Sequence, residues 1–170
     1  MSAPSLPVDR DERHLEDYVP GAVHVYGPIA VDEADIVDFG RKYDPQPFHA
    51  DPQRAAGGPF GGVIASGWHT AGLMMRLLVD HFLPGRAGLA SPGVDELRWL
   101  APVRPGDRLS LRITVTEARR SRSKPDRGLV QTSNEVTNQR GEPVMTVKTM
   151  VLMRCRSAGT AAAAEPDTAP

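Results

Sequence analysis

Residues 66–85 read SGWHTAGLMMRLLVDHFLPG, and this segment predicts a long helix at the centre of the structure. Ser66 is a good N-cap, because its hydroxyl can accept a hydrogen bond from a free backbone N–H of the first turn. The pair Pro84–Gly85 ends the helix. The polar positions fall near one stripe: His69, Arg76 and Asp80. The remaining surface is largely apolar, so we expect the helix to be enclosed on several sides.

After this helix the sequence changes to alternating apolar and polar residues, the period of a strand. Between Asp107 and Glu117 every second residue is apolar: Leu109, Leu111, Ile113 and Val115. A weaker strand is predicted over residues 129–137, and the last strand alternates Met145, Val147, Thr149, Val151 and Met153. Strands joined by such short links form an antiparallel meander. One buried helix and such a sheet predict an α+β fold in which the sheet wraps around the helix.

The segment before the central helix contains a strand, a short helix and a long loop. Residues 22–31 have the composition of an opening strand that Gly27–Pro28 interrupts. Asp32 is placed to cap a helix over residues 33–42. Residues 43–66 are dense in proline and glycine, which predicts a shaped loop without extended regular structure.

Packing in the core is the favoured interpretation of both tryptophans, and stacking on a substrate is the alternative. Trp68 begins the apolar helix, and Trp99 belongs to a strand pattern over residues 97–101. The tetrapeptide of residues 104–107, RPGD, then predicts a turn. We therefore expect a strand and a tight turn between the central helix and the meander.

Length and composition predict one globular domain. The 170 residues are enough to bury a core, and the net charge of −1 gives no sign of a nucleic-acid or lipid-binding face. A single cysteine, Cys155, suits a reducing compartment. The N-terminus lacks the apolar core of a secretory signal, and charges interrupt the most apolar segment, so we expect a cytoplasmic protein without a membrane span. Residues 1–17 and 157–170 are predicted to be disordered tails around a single domain of residues 18–156.

The segment YDPQPFHAD, residues 43–51, carries the candidate chemistry. Asp44 and His49 lie five residues apart in a loop that two prolines stiffen, so their side chains can be held in one geometry. Together they can position a water molecule, take its proton and return a proton to carbon. The N-terminus of the predicted helix, at Gly67, offers free backbone N–H groups to a developing oxyanion. An Asx-turn at Asp44, a structural histidine and a purely capping Ser66 are the alternatives.

Three separated motifs resemble the MaoC-like dehydratase family and follow one another in the same order. They are residues 43–51, the segment GGVIASGWHT of residues 61–70 and the segment LRWLAPVRPGD of residues 97–107. The family motif has the form Asp-x-Asn-Pro-x-His-x-Asp, followed by a small residue. The residues at the corresponding positions of this sequence are Asp44, Gln46, Pro47, His49, Asp51 and Ala55. Gln46 departs from the family asparagine, and its longer side chain leaves the acyl preference and the rate open.

The resemblance implies a hot-dog fold, an antiparallel sheet wrapped around a central helix, in a homodimer or a higher even homo-oligomer. It also implies an (R)-specific 2-enoyl-CoA hydratase and 3-hydroxyacyl-CoA dehydratase, a hydro-lyase of acyl-thioester and fatty acid metabolism. Asp44 and His49 would activate water, and the Gly67 N–H would polarise the thioester carbonyl. Candidate substrate contacts are Gln46, Pro47, Phe48, Ser66 and Trp68. No cofactor is expected apart from coenzyme A as part of the substrate, and an acyl carrier protein is the alternative carrier.

Other functions and sites stay open from the sequence alone. A hot-dog protein can instead be an acyl-CoA thioesterase, or a non-catalytic module that binds acyl-CoA. A basic cluster, Arg119, Arg120, Arg122, Lys124 and Arg127, can meet coenzyme A phosphates, although a solvated hairpin tip is the favoured interpretation. His69 can line the acyl pocket or pack within the helix. A metal site from His49, Asp51 and His69 matches no ligand spacing.

Overall fold

The structure, a computed structural model, describes residue 6 and residues 8–157. In this part of the chain six strands form one sheet that packs against a long helix. The strands are β1 (Val23–Ala30), β2 (Gly88–Ala90), β3 (Val94–Trp99), β4 (Arg108–Arg120), β5 (Arg127–Thr137) and β6 (Pro143–Arg154). The helices are α1 (Glu33–Tyr43), α2 (Pro47–Ala50), α3 (Pro52–Ala56) and α4 (Gly67–Leu77), which continues as a π-helical segment, Leu78–Phe82.

The sheet is antiparallel throughout, in the order β1-β4-β5-β6. Strands β2 and β3 both pair with β6 and lie one after the other along its free side. The predicted meander of β4, β5 and β6 is confirmed. The opening strand is also confirmed, with its pairing to β4 interrupted between Tyr26 and Ile29, where Gly27–Pro28 lies. Strand β2 was not predicted, because three residues are too few to show a period.

The inner face of the sheet and the central helix form one hydrophobic core. The four alternating residues of β4 are at most 1% exposed, as their spacing predicted: Leu109, Leu111, Ile113 and Val115. They share this core with helix residues that include Met74, Leu77, Leu78 and Phe82. The arrangement of a curled antiparallel sheet around a helix confirms the α+β hot-dog fold.

One side of the central helix is uncovered in this chain. The exposed apolar residues there include Trp68, Met75 and Val79, at 60%, 44% and 43% exposure. The prediction that Trp68 and Trp99 lie in the core is wrong, since Trp99 is also 47% exposed and packs edge-to-face on Trp68. Hydrophobic periodicity identifies apolar residues, but it does not reveal whether an element of the same chain covers them.

The predicted loop over residues 43–66 contains two short helices. Pro47 opens α2 and Pro52 opens α3, and in each case proline occupies the first helical turn. Proline is well tolerated there, because its fixed φ suits the helix and its missing N–H would have no intrahelical partner. The sequence prediction treated these prolines only as helix breakers and therefore missed both helices.

The N-terminal segment is packed against the end of the central helix, which corrects the prediction of a disordered tail for residues 8–17. Two 3₁₀ helices, Arg10–Glu12 and Leu15–Asp17, occupy this region, and Leu15 is buried in the core. Leu6 is also buried in the core, whereas residues 1–5, 7 and 158–170 lie outside the described residues. The domain boundaries therefore stay a prediction. No helix in the described ranges is long and apolar enough to cross a membrane.

Arg13 explains why the segment docks there. Its buried guanidinium donates hydrogen bonds to the carbonyls of His81 and Phe82, at 2.5 and 3.2 Å. The Tyr18 hydroxyl donates to the same Phe82 carbonyl at 2.7 Å, and Arg10 donates to the carbonyl of Val79. These carbonyls end the helix and lack intrahelical donors, and a cation also suits the negative end of the helix dipole.

Replacing Arg13 with alanine is expected to lower the free energy of unfolding by about 2 kcal/mol, because buried carbonyls lose a charged donor. Urea denaturation followed by circular dichroism measures the change. Arg10→Ala is the matched comparison, since Arg10 caps the same helix end from a position that is only half-buried. Equal losses in the two variants would contradict a special contribution from the buried guanidinium.

Candidate active site

A cavity of about 430 Å³ lies where the N-terminus of α4 meets α2 and the segment that follows β3. Its polar wall includes Asp44, His49 and Ser66. The remaining wall is mostly apolar and includes Phe48, Phe60, Trp99 and Val103. A concave apolar site with a few convergent polar groups is the usual form of a small-molecule site.

Asp44 is oriented by two side-chain donors. It lies immediately after α1, where its backbone N–H donates to the carbonyl of Gly40 at 2.9 Å. The Gln46 amide donates to Asp44 Oδ1 at 2.8 Å, and the Ser66 hydroxyl donates to Oδ2 at 2.7 Å. The Gln46 hydrogen bond, with a smaller contribution from Ser66, lowers the pKa of Asp44 below its ordinary value of 3.8, although partial burial opposes the shift.

His49 is held on α2 with one ring nitrogen facing Asp44. Its Nδ1 lies 2.7 Å from the carbonyl oxygen of Ile64, and its Nε2 lies 3.4 Å from Asp44 Oδ2. A carbonyl oxygen only accepts, so Nδ1 carries the proton of this hydrogen bond. In the neutral ring Nε2 is then left with a free lone pair. Because the side chain is 7% exposed, this lone pair faces the cavity and not bulk water.

Gly40 sets the distance between the two helices that carry the pair. A Cβ on this residue would lie 2.4 Å from the carbonyl oxygen of His49, so α1 and α2 pack backbone against backbone. This close approach lets Asp44, at the end of α1, reach His49 on α2. The signal in the sequence is a glycine inside a helix, which is unfavourable relative to alanine and needs a packing reason.

Ser66 connects the segment that carries Asp44 to the central helix α4. Its hydroxyl oxygen accepts from the Trp68 N–H at 3.3 Å while the hydroxyl donates to Asp44. Ser66 therefore caps α4 and also holds the Asp44 carboxylate through the same hydroxyl group. The backbone around it is held as well, because the Ala65 N–H donates to the carbonyl of Val103 at 2.8 Å.

Gly67 is the first residue of α4, so its N–H has no intrahelical partner. A Cβ at this position would lie 2.3 Å from Cε2 of Trp99, because the indole packs directly on the glycine backbone. Only glycine allows this contact without displacing the ring. The residue therefore leaves a backbone donor at the cavity wall, where Gly67 and Trp99 lie side by side.

The structure places most of the predicted site residues around one cavity. Those that line it are Asp44, Phe48, His49, Ser66, Gly67 and Trp68. Two predicted residues do not line it. Gln46 donates a hydrogen bond to the carboxylate of Asp44, and Pro47 begins α2. Their contacts with a substrate stay a prediction. Sequence reasoning missed Phe60 and the residues 99–103, which are far from the motif in the sequence and join it only in the folded chain.

His69 packs inside the protein and does not line this cavity. Its ring stacks on Phe39 at 5.1 Å between centroids, and burial lowers its pKa below the ordinary 6.5. Its Nδ1 has no hydrogen-bond partner among the described residues. The same part of the chain contains no group of three or more histidine, cysteine, aspartate or glutamate side chains arranged to hold a metal ion.

Comparisons with known proteins bear on the fold and the family of the chain. A family model described as MaoC like domain matches residues 19–140. The crystal structure of a MaoC-like dehydratase from Rhodospirillum rubrum is 41% identical, covers 85% of this chain and 99% of its own, and superposes with a TM-score of 0.78. The R-hydratase PhaJ1 of Pseudomonas aeruginosa is 25% identical, covers 85% of this chain and 86% of its own, and has a TM-score of 0.65.

A curated relative adds a shorter but more similar stretch. The 3-hydroxyacyl-thioester dehydratase Z of Mycobacterium tuberculosis is 42% identical over 67 residues. This alignment covers 39% of the present chain and 44% of that enzyme. Less than half of the relative is therefore matched.

The substitution Gln46→Leu is expected to raise the pKa of Asp44, because it removes the amide donor that contributes most to the lowered value. Ionised Asp44 stabilises the fold above the pKa of the unfolded chain, and this contribution is lost as the pH falls through the folded value. In the variant this contribution should be smaller, and its loss should be complete at a higher pH. Titration of the Asp44 carboxyl carbon by NMR measures the shift.

Gln53→Leu serves as the control for this titration, since Gln53 is an exposed amide on the neighbouring helix α3. It should leave the titration of Asp44 unchanged. The same curve for Gln46→Leu and the unaltered protein would show that the amide does not hold the carboxylate in its ionised form.

Proposed function

This chain belongs to the MaoC-like domain family, and on that premise we propose that it is an (R)-specific 2-enoyl-CoA hydratase that also catalyses the reverse dehydration of 3-hydroxyacyl-CoA. One observation carries the proposal: Asp44 Oδ2 and His49 Nε2 lie 3.4 Å apart at the wall of a cavity that begins at a helix N-terminus. The names of two similar proteins, an R-hydratase and a 3-hydroxyacyl-thioester dehydratase, support the same reaction class.

The pair is arranged to bind one water molecule. Both facing atoms are acceptors, since Asp44 is held ionised and the Nδ1 proton of His49 is directed at Ile64. A water molecule can donate one hydrogen to each of them and keep its lone pairs free for attack. The hydrogen bonds from Gln46 and Ser66 fix the carboxylate, so the water would be held in one position.

We assign the first proton transfer to His49. The lowered pKa of Asp44 makes this carboxylate a weak base, while its charge stabilises an imidazolium beside it. As the water oxygen bonds to C3 of the enoyl group, Nε2 takes a proton and the C2–C3 π electrons move toward the thioester carbonyl. The pair then returns a proton to C2 on the same face, which gives a 3-hydroxyacyl thioester by syn addition.

The charge that develops during attack lies on the thioester oxygen. We propose that the Gly67 N–H donates to this oxygen, because it is an unpaired donor at the positive end of the α4 dipole. The reaction consists of proton transfers and one addition, so these side chains and one amide supply its chemistry. We propose no cofactor beyond the coenzyme A portion of the substrate.

We further propose that the working form is a homodimer, built on the uncovered side of α4 and on β3. Within the described residues β3 pairs only with β6, which leaves its other edge without a partner strand. Exposed apolar residues lie along this side: Trp68, Met75, Val79, Val94 and Trp99. A second copy would cover this surface and pair with the free edge, and two indoles beside the cavity would then be shielded from water.

His49→Ala is expected to lower the rate of crotonyl-CoA hydration about a hundredfold or more, because the reaction loses its general base. Asp44→Asn should have a comparable effect, since the water loses an anionic acceptor. Loss of enone absorbance in the ultraviolet measures both rates. His81→Ala, an exposed histidine at the far end of the central helix, is the control and should retain the activity.

The same assay separates the alternatives. Release of free thiol from saturated acyl-CoA without hydration of crotonyl-CoA would identify a thioesterase and overturn the proposal. Tight binding of acyl-CoA without turnover, and unchanged by Asp44→Asn, would identify a binding module instead. Full activity of His49→Ala would exclude the assigned general base.

Val94→Glu is expected to shift the protein toward a monomer, because it places a charge on the free edge strand within the proposed interface. Size-exclusion chromatography with light scattering measures the mass. Val25→Glu is the matched control, since Val25 is similarly exposed, at 45% against 50%, but lies on β1 at the other side of the sheet. A monomeric unaltered protein, or dissociation by the control alone, would argue against this interface.

A further inference from the structure

Arg104 lies at the edge of the cavity. It directly follows Val103, which lines the cavity, and its Nη2 donates to the carbonyl of Phe60 at 2.9 Å, another lining residue. The turn that carries it is closed by Asp107, whose carboxylate accepts from the Arg104 backbone N–H at 2.8 Å. The backbone that positions the guanidinium is therefore held, while the side chain remains exposed.

The charge of Arg104 is not neutralised. Among the described residues no carboxylate forms a salt bridge with its guanidinium, whereas Arg54 on α3 faces Asp51 at 3.8 Å. The Phe60 carbonyl occupies one donor of a planar group that has five. Arg104 thus presents a positive charge and free donors to solvent at the cavity edge.

The basic cluster on the β4–β5 hairpin lies at the opposite end of β4 from the Arg104 turn. Strand β4 starts just after the Arg104 turn and ends at Arg120. Its thirteen residues, at about 3.3 Å each, give a path of about 40 Å along the strand between this turn and the hairpin tip. Several of its cations are also paired: Arg119 with Glu117, Arg120 with Glu16 and Arg127 with Asp126. The solvated hairpin tip, the interpretation favoured from the sequence, agrees with this placement.

A series of contacts through two aromatic residues connects Arg104 to His49. His49 contacts Phe48 at 4.5 Å between ring centroids, Phe48 contacts Phe60 at 5.2 Å, and the guanidinium lies beyond the Phe60 carbonyl. A thioester bound at Asp44 and His49 must extend its carrier arm out of the cavity. Both coenzyme A and acyl carrier protein attach the acyl group through phosphopantetheine, which ends in a phosphate on the side away from the sulfur.

We propose that Arg104 binds the phosphate of this phosphopantetheine arm and so selects phosphorylated thioester carriers, an inference that rests on the proposed hydratase function. Arginine suits this contact, because its planar fork matches two phosphate oxygens and keeps its charge at any physiological pH. The hydrogen bond to Phe60 orients the guanidinium before the substrate arrives.

The test compares three substrates: crotonyl-CoA, crotonyl-4′-phosphopantetheine and crotonyl-pantetheine, which lacks phosphate. In Arg104→Gln the KM is expected to rise about tenfold for the first two, the loss of one charge-assisted contact, and to stay unchanged for the third. Added salt should raise the KM of the unaltered protein for crotonyl-CoA more than that of the variant. Arg104→Lys, which keeps the charge, should recover part of the loss.

Each other result overturns the proposal. An equal loss with all three substrates would show that Arg104 acts only through Phe60 and Phe48 on the position of His49. A loss with crotonyl-CoA alone would assign the contact to the nucleotide portion, which acyl carrier protein lacks. Arg122→Gln, on the hairpin tip, is the matched control, and a phosphate-dependent loss in that variant alone would place recognition on the basic cluster.

Calorimetry keeps this inference separate from the proposed reaction. Binding of coenzyme A is expected to weaken about tenfold in Arg104→Gln, and binding of pantetheine to stay the same. A protein that hydrates none of the enoyl thioesters but shows this difference would overturn the hydratase proposal and retain the phosphate contact. Equal binding of coenzyme A by the variant and the unaltered protein would overturn the phosphate contact.

Discussion

The hydrogen bond from Ser66 to Asp44, 2.7 Å long, joins the two parts of the molecule on which the site depends. Ser66 caps the central helix, and Asp44 ends the helix α1. The bond therefore fixes a carboxylate beside a helix N-terminus, where the free N–H of Gly67 and the helix dipole favour negative charge. Among the described residues, this is the side-chain hydrogen bond that connects Asp44 to the first turn of α4.

Residues far apart in the sequence complete both ends of the central helix. At its N-terminus the capping hydroxyl also holds Asp44, and at its C-terminus the guanidinium of Arg13 and the hydroxyl of Tyr18 meet the last carbonyls. Such partners stabilise the helix, because its terminal N–H and C=O groups lack intrahelical hydrogen bonds. The two ends of the helix therefore differ in their surroundings. The N-terminus borders an open cavity, and the C-terminus contacts the docked N-terminal segment of the chain.

The cavity lies beside a surface that the chain does not cover by itself. The Trp99 indole packs on the backbone of Gly67 and is nearly half exposed, so the same residue forms part of the cavity wall and of the apolar side of the protomer. At another part of the cavity wall, the Phe60 carbonyl accepts from Arg104, and the Phe60 ring connects through Phe48 to His49. Phe60 and Trp99, which line the cavity, are therefore also exposed at the surface of the protomer.

Local pattern in the sequence was sufficient for the strands of the meander, the start of the central helix and the Asp44–His49 motif, since each depends on residues within a few positions of one another. The residues 99–103 at the cavity, the contact of Gly40 with His49 and the docking of Arg13 depend on pairs that only the folded chain brings together. The exposure of Trp68 and Trp99 belongs to the same class, because hydrophobicity marks a side chain as apolar without stating what covers it. Periodicity is a property of neighbours along the chain, whereas a site and a surface are properties of distances in space.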